Sequence, residues 1–257
     1  MTGMLKPVSY DHAQHAVYAR GRVLSPEALQ RWLDAFAAAA PARRPLAVLD
    51  LGSGTGRFTP GLADTFGGPV YGVEPAGKMR EQAERDARHP NVRYLAGEGA
   101  AIPLPDASMD LVLMFLSFHH YLDQQAAVAE IARVLRPDGR VILRSTFSDN
   151  IPDLWWRPFF PRTLEIEAAM FPSLAEAKAM FAEAGLTRTE RRQVERPFEG
   201  TLEDNAAKLR LRALSIFEHL TDAEWAGGLA AMDAALVAGT VPTPAAERPD
   251  LLVLSRP

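Results

Sequence analysis

The chain lacks several features that would point to particular classes of protein. It has no cysteine among its 257 residues, which excludes disulfides, thiolate metal ligands and a cysteine nucleophile. No apolar run approaches the roughly 18–20 residues of a membrane span, and the start, MTGMLKPVSYDHA, lacks the apolar segment of a signal peptide. Its 28 basic residues do not outnumber its 32 acidic ones, so no overall basic field attracts nucleic acid or anionic membranes. We therefore expect a cytoplasmic protein without a nucleic-acid, membrane or metal partner.

What the chain does have is a regular alternation of strand and helix patterns. Its hydrophobic fraction of 47% is typical of a globular protein. The periodicity predicts strands at residues 46–51, 70–73, 92–95, 111–116 and 140–146, with helices between them. Such alternation indicates a parallel sheet with right-handed crossovers.

The pattern changes after residue 150. A proline-rich aromatic stretch covers residues 150–172. Helices are then predicted at 173–184, 201–220 and 221–238, and strands at 187–194 and 251–254. Because no Gly/Ser linker interrupts the chain, we expect one domain with helical additions.

The most informative segment is VLDLGSGTGRF at residues 48–58. An apolar strand leads into Asp50, then into glycines at positions 52, 54 and 56, and then into a predicted helix. Glycine has no Cβ, so the backbone can turn tightly and a ligand can lie against it. The helix start adds unpaired N–H groups. This combination indicates a nucleotide-like cofactor, although a plain strand-to-helix turn is the alternative.

Two common nucleotide motifs do not fit this turn. The dinucleotide fingerprint needs a third glycine where Arg57 stands, and the mononucleotide P-loop needs a Gly-Lys-Ser/Thr sequence that does not follow. The observed D-x-G-x-G-x-G, with Glu74 ending the second strand, resembles the class I S-adenosylmethionine-dependent methyltransferases. The segment RVLRPDGRV at residues 133–141 is similar to the family's approach to strand five.

The resemblance implies an architecture and a cofactor. The fold would be α/β and Rossmann-like, with a seven-stranded, mostly parallel sheet of order 3-2-1-4-5-7-6, helices on both faces and a helical insert before the last strand. Residues 1–45 would form N-terminal cap helices, residues 46–149 the cofactor-binding core, and residues 150–172 and 197–248 acceptor-binding additions. The cofactor would be S-adenosyl-L-methionine, with S-adenosyl-L-homocysteine as its product, and the protein a monomer or homodimer.

The resemblance also implies roles for individual residues. Glu74 would accept hydrogen bonds from the ribose hydroxyls, as an acid does in dinucleotide sites. Asp50 would face the ammonium group, and Glu98 the adenine amino group, although a solvated loop acid is the alternative for Glu98. The predicted cofactor-binding residues are Asp50, Gly52, Ser53, Gly54, Gly56, Glu74, Pro75, Met79, Glu98, Gly99, Ala100 and Phe115, with Tyr18 and Arg22 from the N-terminal segment.

The segment MDLVLMFLSFHHY at residues 109–121 resembles the family's fourth strand and the turn beside the transferred methyl. His119 and His120 are the predicted catalytic residues, because histidine can act as a general base near neutral pH. Helix capping and packing are the alternatives. The predicted acceptor-binding residues are Tyr10, Ser117, His120, Trp155, Trp156 and Phe159.

The aromatic members of this set suit an apolar or planar acceptor, unless they pack the added helices onto the sheet. We therefore predict methyl transfer to a small molecule, in natural-product or secondary metabolism. Two alternatives remain open: an RNA methyltransferase, which the negative net charge disfavours, and a cofactor-binding protein of the same fold that methylates nothing.

Overall fold

The computed structural model describes residues 24–257, which form two compact units. The sheet unit comprises Leu24–Ser145, Ala175–Val194 and Pro249–Pro257. The helical unit comprises the described residues Thr146–Leu174 and Glu195–Arg248. The expectation of one domain stays a prediction.

The sheet unit is built on seven strands. They are β1 (Leu46–Leu51), β2 (Gly67–Val73), β3 (Val92–Leu95), β4 (Met109–Phe115), β5 (Leu135–Arg144), β6 (Arg188–Gln193) and β7 (Asp250–Ser255). Their order across the sheet is β3-β2-β1-β4-β5-β7-β6, which confirms the expected topology. Strands β1 to β5 pair in parallel, whereas β7 runs antiparallel to both of its neighbours. From β1 the chain first adds β2 and β3 on one side of the sheet and then β4 and β5 on the other, so the strand order reverses between β1 and β4. Open α/β sheets bind ligands at such a point.

Five helices accompany these strands. They are α1 (Pro26–Ala39), α2 (Thr59–Phe66), α3 (Gly77–Asp86), α4 (Gln124–Val134) and α6 (Leu174–Glu183). Helix α1 starts as its sequence predicts, with Pro26 in its first turn and the Ser25 hydroxyl accepting the Ala28 N–H. Its buried stripe, which includes Trp32 and Phe36, packs on one face of the sheet.

Strand β4 is buried at every position from Met109 to Met114. Successive side chains of a strand point to opposite faces, so both faces of the sheet are covered here. The continuous apolar run in the sequence predicted this burial.

The helical unit contains α5 (Thr163–Met170), α7 (Leu202–Arg210) and α8 (Asp222–Val237). Its core is an aromatic cluster in which the Phe217 ring lies 5.1 Å from Trp156 and 4.9 Å from Trp225, measured between centroids. Helices α7 and α8 both begin with capping boxes, at Thr201 and Thr221. These two helices form the expected insert between β6 and β7.

The two largest errors in the sequence-based boundaries are a helix that ends too late and a strand that starts too late. The helix predicted over residues 201–220 ends at Arg210, because Arg212 takes a left-handed conformation (φ +52°) and a 3₁₀ turn, Ser215–His219, follows. Strand β5 starts at Leu135 rather than at residue 140, so the Pro-Asp-Gly sequence lies inside the strand. Across residues 24–257, no helix is both long and apolar enough to cross a membrane.

Candidate functional site

The glycine turn after β1 has the backbone geometry that its composition predicts. Gly52, Gly54 and Gly56 have φ values of +76°, +57° and +78°, in the region that residues with a side chain rarely occupy. The Gly52 N–H donates to the Val73 carbonyl at the end of β2 (2.8 Å). A Cβ on Gly52 would lie 2.4 Å from the Ser117 Cβ. The turn therefore lies against the carboxyl ends of β2 and β4, the two strands that flank β1.

Glu74 directly follows β2, and its buried carboxylate reaches back to the turn. One carboxylate oxygen, Oε2, accepts the Gly54 N–H and the other, Oε1, accepts the Ala76 N–H, both at 2.9 Å. Each oxygen of an ionised carboxylate can accept about two hydrogen bonds. These two backbone donors fix the orientation of the carboxylate beside the glycine turn.

Asp50 lies one residue before the end of β1 and is also buried. Its Oδ2 accepts the Thr59 hydroxyl from the first turn of α2 (2.8 Å). Burial raises the pKa of Asp50 to about 6, whereas the Thr59 hydrogen bond and the Arg57 charge act in the opposite direction. A cationic ligand group beside this carboxyl would favour its ionised form.

Ser53, inside the turn, supplies a further polar group. Its Oγ is buried and has no hydrogen-bond partner in the part of the chain that the structure describes. A buried hydroxyl of this kind suits a polar ligand atom. Two buried carboxyls, a buried hydroxyl and a glycine backbone fit a cationic nucleoside such as S-adenosylmethionine. Across residues 24–257, no group of three acidic or histidine side chains is arranged to hold a metal ion.

The loop after β3 brings another predicted residue towards the turn. Gly99 is buried, and a Cβ placed on it would lie 3.0 Å from the Tyr121 ring. A Cβ on Gly52 would lie 3.7 Å from the Tyr121 hydroxyl, so one tyrosine separates the two glycines. Glu98 and Ala100 on either side of Gly99 are exposed.

Two further predicted cofactor contacts differ in burial. Pro75 is exposed beside Glu74, whereas Met79 is buried in α3 with 2% of its surface accessible. That burial is compatible with either a core position or an adenine contact, and the assignment of both residues to the cofactor stays a prediction.

The two histidines lie in a 3₁₀ turn, Phe118–His120, a few residues beyond β4. Their ring centroids are 3.9 Å apart with an interplanar angle of 45°, and both residues are half-buried. The His120 N–H donates to the Ser117 carbonyl (2.9 Å). The Ser117 hydroxyl donates to the Leu51 carbonyl (2.7 Å), and the assignment of Ser117 to the acceptor stays a prediction.

Sequence reasoning missed two arginines beside Phe115, which is half-buried at the end of β4. The Arg57 guanidinium carbon lies 5.3 Å from the centroid of the Phe115 ring, and that of Arg144 lies 5.9 Å from it. Both distances are within cation–π range. The position of Arg144 at the carboxyl end of β5 was the signal in the sequence that could have identified it.

The predicted acceptor-binding aromatics belong to the helical unit. Trp156 is 6% exposed and packs against Phe160 and Phe217, so its environment is that of a core residue. Trp155 and Phe159 are half-buried against the same cluster. The remaining predicted residues, Tyr10, Tyr18 and Arg22, lie outside the described part of the chain.

Comparison with known proteins agrees with this geometry. A family model described as a methyltransferase domain matches residues 49–143. A demethylmenaquinone methyltransferase of Thermus thermophilus is 30% identical over 193 residues, which cover 65% of this chain and 86% of that protein. An uncharacterised methyltransferase-like protein of Schizosaccharomyces pombe is 37% identical over 106 residues, 41% of this chain and 40% of that protein. Coverage of the relatives thus ranges from less than half to most of their length.

Structural similarity extends over most of the chain. A crystal structure from Anabaena variabilis, provisionally named as a methyltransferase from an antibiotic biosynthesis pathway, has a TM-score of 0.76. It is 24% identical, and the alignment covers 88% of this chain and 97% of that one.

The fold is Rossmann-like, with a glycine turn and two buried acidic residues at the carboxyl ends of its parallel strands. The chain belongs to the class I S-adenosylmethionine-dependent methyltransferases. The cofactor expected from the glycine turn and Glu74 is therefore the cofactor of its family.

Proposed function

We propose that this protein transfers a methyl group from S-adenosyl-L-methionine to a small-molecule acceptor. The observation that carries the proposal is the buried Glu74 carboxylate, which the Gly54 and Ala76 N–H groups orient beside the glycine turn. A buried carboxylate is costly unless it is hydrogen-bonded, and here two backbone N–H groups offset that cost and hold it at the carboxyl end of β2.

The bound cofactor would supply an electrophilic methyl group on a sulfonium. Glu74 would hold its ribose hydroxyls, and Asp50 would provide a negative charge near its cationic groups. The Ser53 hydroxyl, buried within the turn, would add a polar contact. These groups would fix the donor, and fixed alignment supplies a large part of the rate enhancement of an in-line displacement.

His119 and His120 are proposed to act on the acceptor. They follow β4, whose carboxyl end lies beside the glycine turn, and both are half-buried. A hydroxyl acceptor gains from a general base that titrates near neutrality, which histidine provides.

A small acceptor is favoured over RNA. The net charge of −4 gives no overall attraction for a polyanion. The name of the Thermus relative specifies a small-molecule acceptor, and that of the Anabaena neighbour an antibiotic pathway. The half-buried Trp155 and Phe159 of the helical unit offer apolar surface for an apolar or planar acceptor.

The proposal is tested with methyl-tritiated S-adenosylmethionine. The full chain is incubated with a small-metabolite extract or with total RNA, and labelled products are separated by size and polarity. We expect tritium in a small organic product with the wild-type chain and much less with Glu74→Ala, whose cofactor binding is weakened. Label in RNA would overturn the small-molecule acceptor, and cofactor binding without any transfer would overturn the methyltransferase activity.

A further inference from the structure

The ladder between β1 and β4 ends before the last residue of β1. Residues pair in register from Val48 with Leu111 to Asp50 with Leu113. The carbonyl of the next residue, Leu51, accepts the Ser117 hydroxyl (2.7 Å) and the Tyr121 hydroxyl (3.1 Å). Two side chains thus occupy the place where a further backbone N–H would continue the ladder.

This replacement lies where a ligand is expected to bind. Open α/β sheets bind ligands beyond the carboxyl ends of their strands, where the strand order reverses, and the β1–β4 ladder ends at this point. The end of the ladder leaves the Leu51 carbonyl without a backbone donor from β4, and a buried carbonyl without a donor is costly. The two hydroxyls satisfy it in place of that donor.

Tyr121 also contacts both glycine-containing segments of the site. Its hydroxyl lies 3.7 Å from the position of a Cβ on Gly52, and its ring lies 3.0 Å from that of a Cβ on Gly99. Burial raises the pKa of the Tyr121 hydroxyl, so it remains a neutral donor at any working pH. The two hydroxyl oxygens are 3.1 Å apart, and because each hydroxyl has a single proton that is directed to the Leu51 carbonyl, the carbonyl holds the two side chains together.

We propose that Ser117 and Tyr121 are positioning residues for the cofactor. By holding the Leu51 carbonyl they set the position of the glycine turn relative to the segment that carries His119 and His120. They act through Leu51 and need not touch the reacting atoms. The inference concerns cofactor binding and does not depend on the acceptor in the proposed function.

The test measures S-adenosylhomocysteine affinity by isothermal titration calorimetry on the full chain. Tyr121→Phe keeps the ring between the glycines and removes only the hydroxyl, and Ser117→Ala removes the other donor. We expect each change to weaken binding by about three- to tenfold, the effect of one ordinary hydrogen bond. The double variant should lose more than the product of the two single losses, because the carbonyl then has neither donor.

A matched control separates positioning from general stability. The Ser108 hydroxyl donates to the Pro105 carbonyl (2.6 Å), just before the start of β4. Ser108→Ala removes a hydroxyl-to-carbonyl bond in an exposed position at the opposite end of β4 from Ser117, and should leave the affinity for S-adenosylhomocysteine unchanged. If Ser117→Ala does not fold, Ser117→Cys provides a side chain of similar shape with a weak donor, and we expect an affinity between those of Ser117→Ala and the wild type.

Unchanged affinity in Tyr121→Phe and in the folded Ser117 variant would overturn the proposal. An equal loss of affinity in Ser108→Ala would do the same, since the effect would then be one of stability. Neither outcome would bear on methyl transfer itself, which the tritium experiment measures separately.

Discussion

Replacing Asp50 with asparagine should stabilise the cofactor-free protein at neutral pH. Burial raises the pKa of this carboxyl to about 6, against 3.8 for a free aspartate. That difference of about two units corresponds to about 3 kcal/mol of folding free energy at about 1.4 kcal/mol per unit. An asparagine oxygen can still accept the Thr59 hydroxyl, so Asp50→Asn removes the cost of the charge and keeps the hydrogen bond.

The sign of the effect sets its pH dependence. Because the folded-state pKa is raised, the wild-type protein keeps its full stability below about pH 4 and loses part of it as the pH rises to about 6. Asp50→Asn carries no charge at any pH. The difference in unfolding free energy between variant and wild type, from urea titrations between pH 4 and 8, should therefore grow over pH 4–6 to at most about 3 kcal/mol.

Asp110 provides a control with the opposite sign. It is buried too, and burial would raise its pKa, but hydrogen bonds from Arg136, the Ala47 N–H and Arg43 outweigh that effect and lower it. Asp110→Asn should therefore destabilise the protein at neutral pH and less so in acid. A difference between Asp50→Asn and wild type that stays constant from pH 4 to 8 would refute the reasoning about Asp50.

Two further predictions concern the turn and the histidine pair. Gly52→Ala should lower the unfolding free energy in urea by about 2–4 kcal/mol, because its φ is +76° and the new Cβ would lie 2.4 Å from that of Ser117. Gly185→Ala, at φ +82° with open space around it, should lose only about 1–2 kcal/mol, and equal losses would contradict the steric part of the argument. His120→Ala should reduce turnover by about 10²-fold in the tritium assay with little change in S-adenosylhomocysteine affinity, whereas near-normal turnover would make His120 a packing residue.

The elements that the sequence predicted well are those specified by local patterns. Glycines at alternate positions indicated the turn, and apolar runs bounded by charged helices indicated the parallel strands. Glu74 was identified because it directly follows a strand in the order that a nucleotide fold requires. The order of the seven strands came from the family resemblance, since periodicity alone does not specify which strands are neighbours.

The parts that the sequence did not predict depend on contacts between distant residues or on one backbone angle. The bonds from Ser117 and Tyr121 to the Leu51 carbonyl join residues 66 and 70 positions apart, so no local pattern reports them. The helix predicted to reach residue 220 ends at Arg210 because Arg212 takes a left-handed conformation that its residue type does not favour. Trp156 shows that an aromatic-rich segment does not distinguish a core side chain from one that contacts a ligand.

Calorimetric titration of S-adenosylhomocysteine into the full chain, alongside Glu74→Ala, tests the central claim most directly. We expect saturable binding to one site in the wild type. Glu74→Ala should bind at least about tenfold more weakly, because a charge-assisted hydrogen bond contributes about 1.5–3 kcal/mol. Thermal unfolding of the free variant would show that it is folded. Absence of saturable binding, or equal affinity in a folded Glu74→Ala, would contradict the assignment of this crevice to the cofactor.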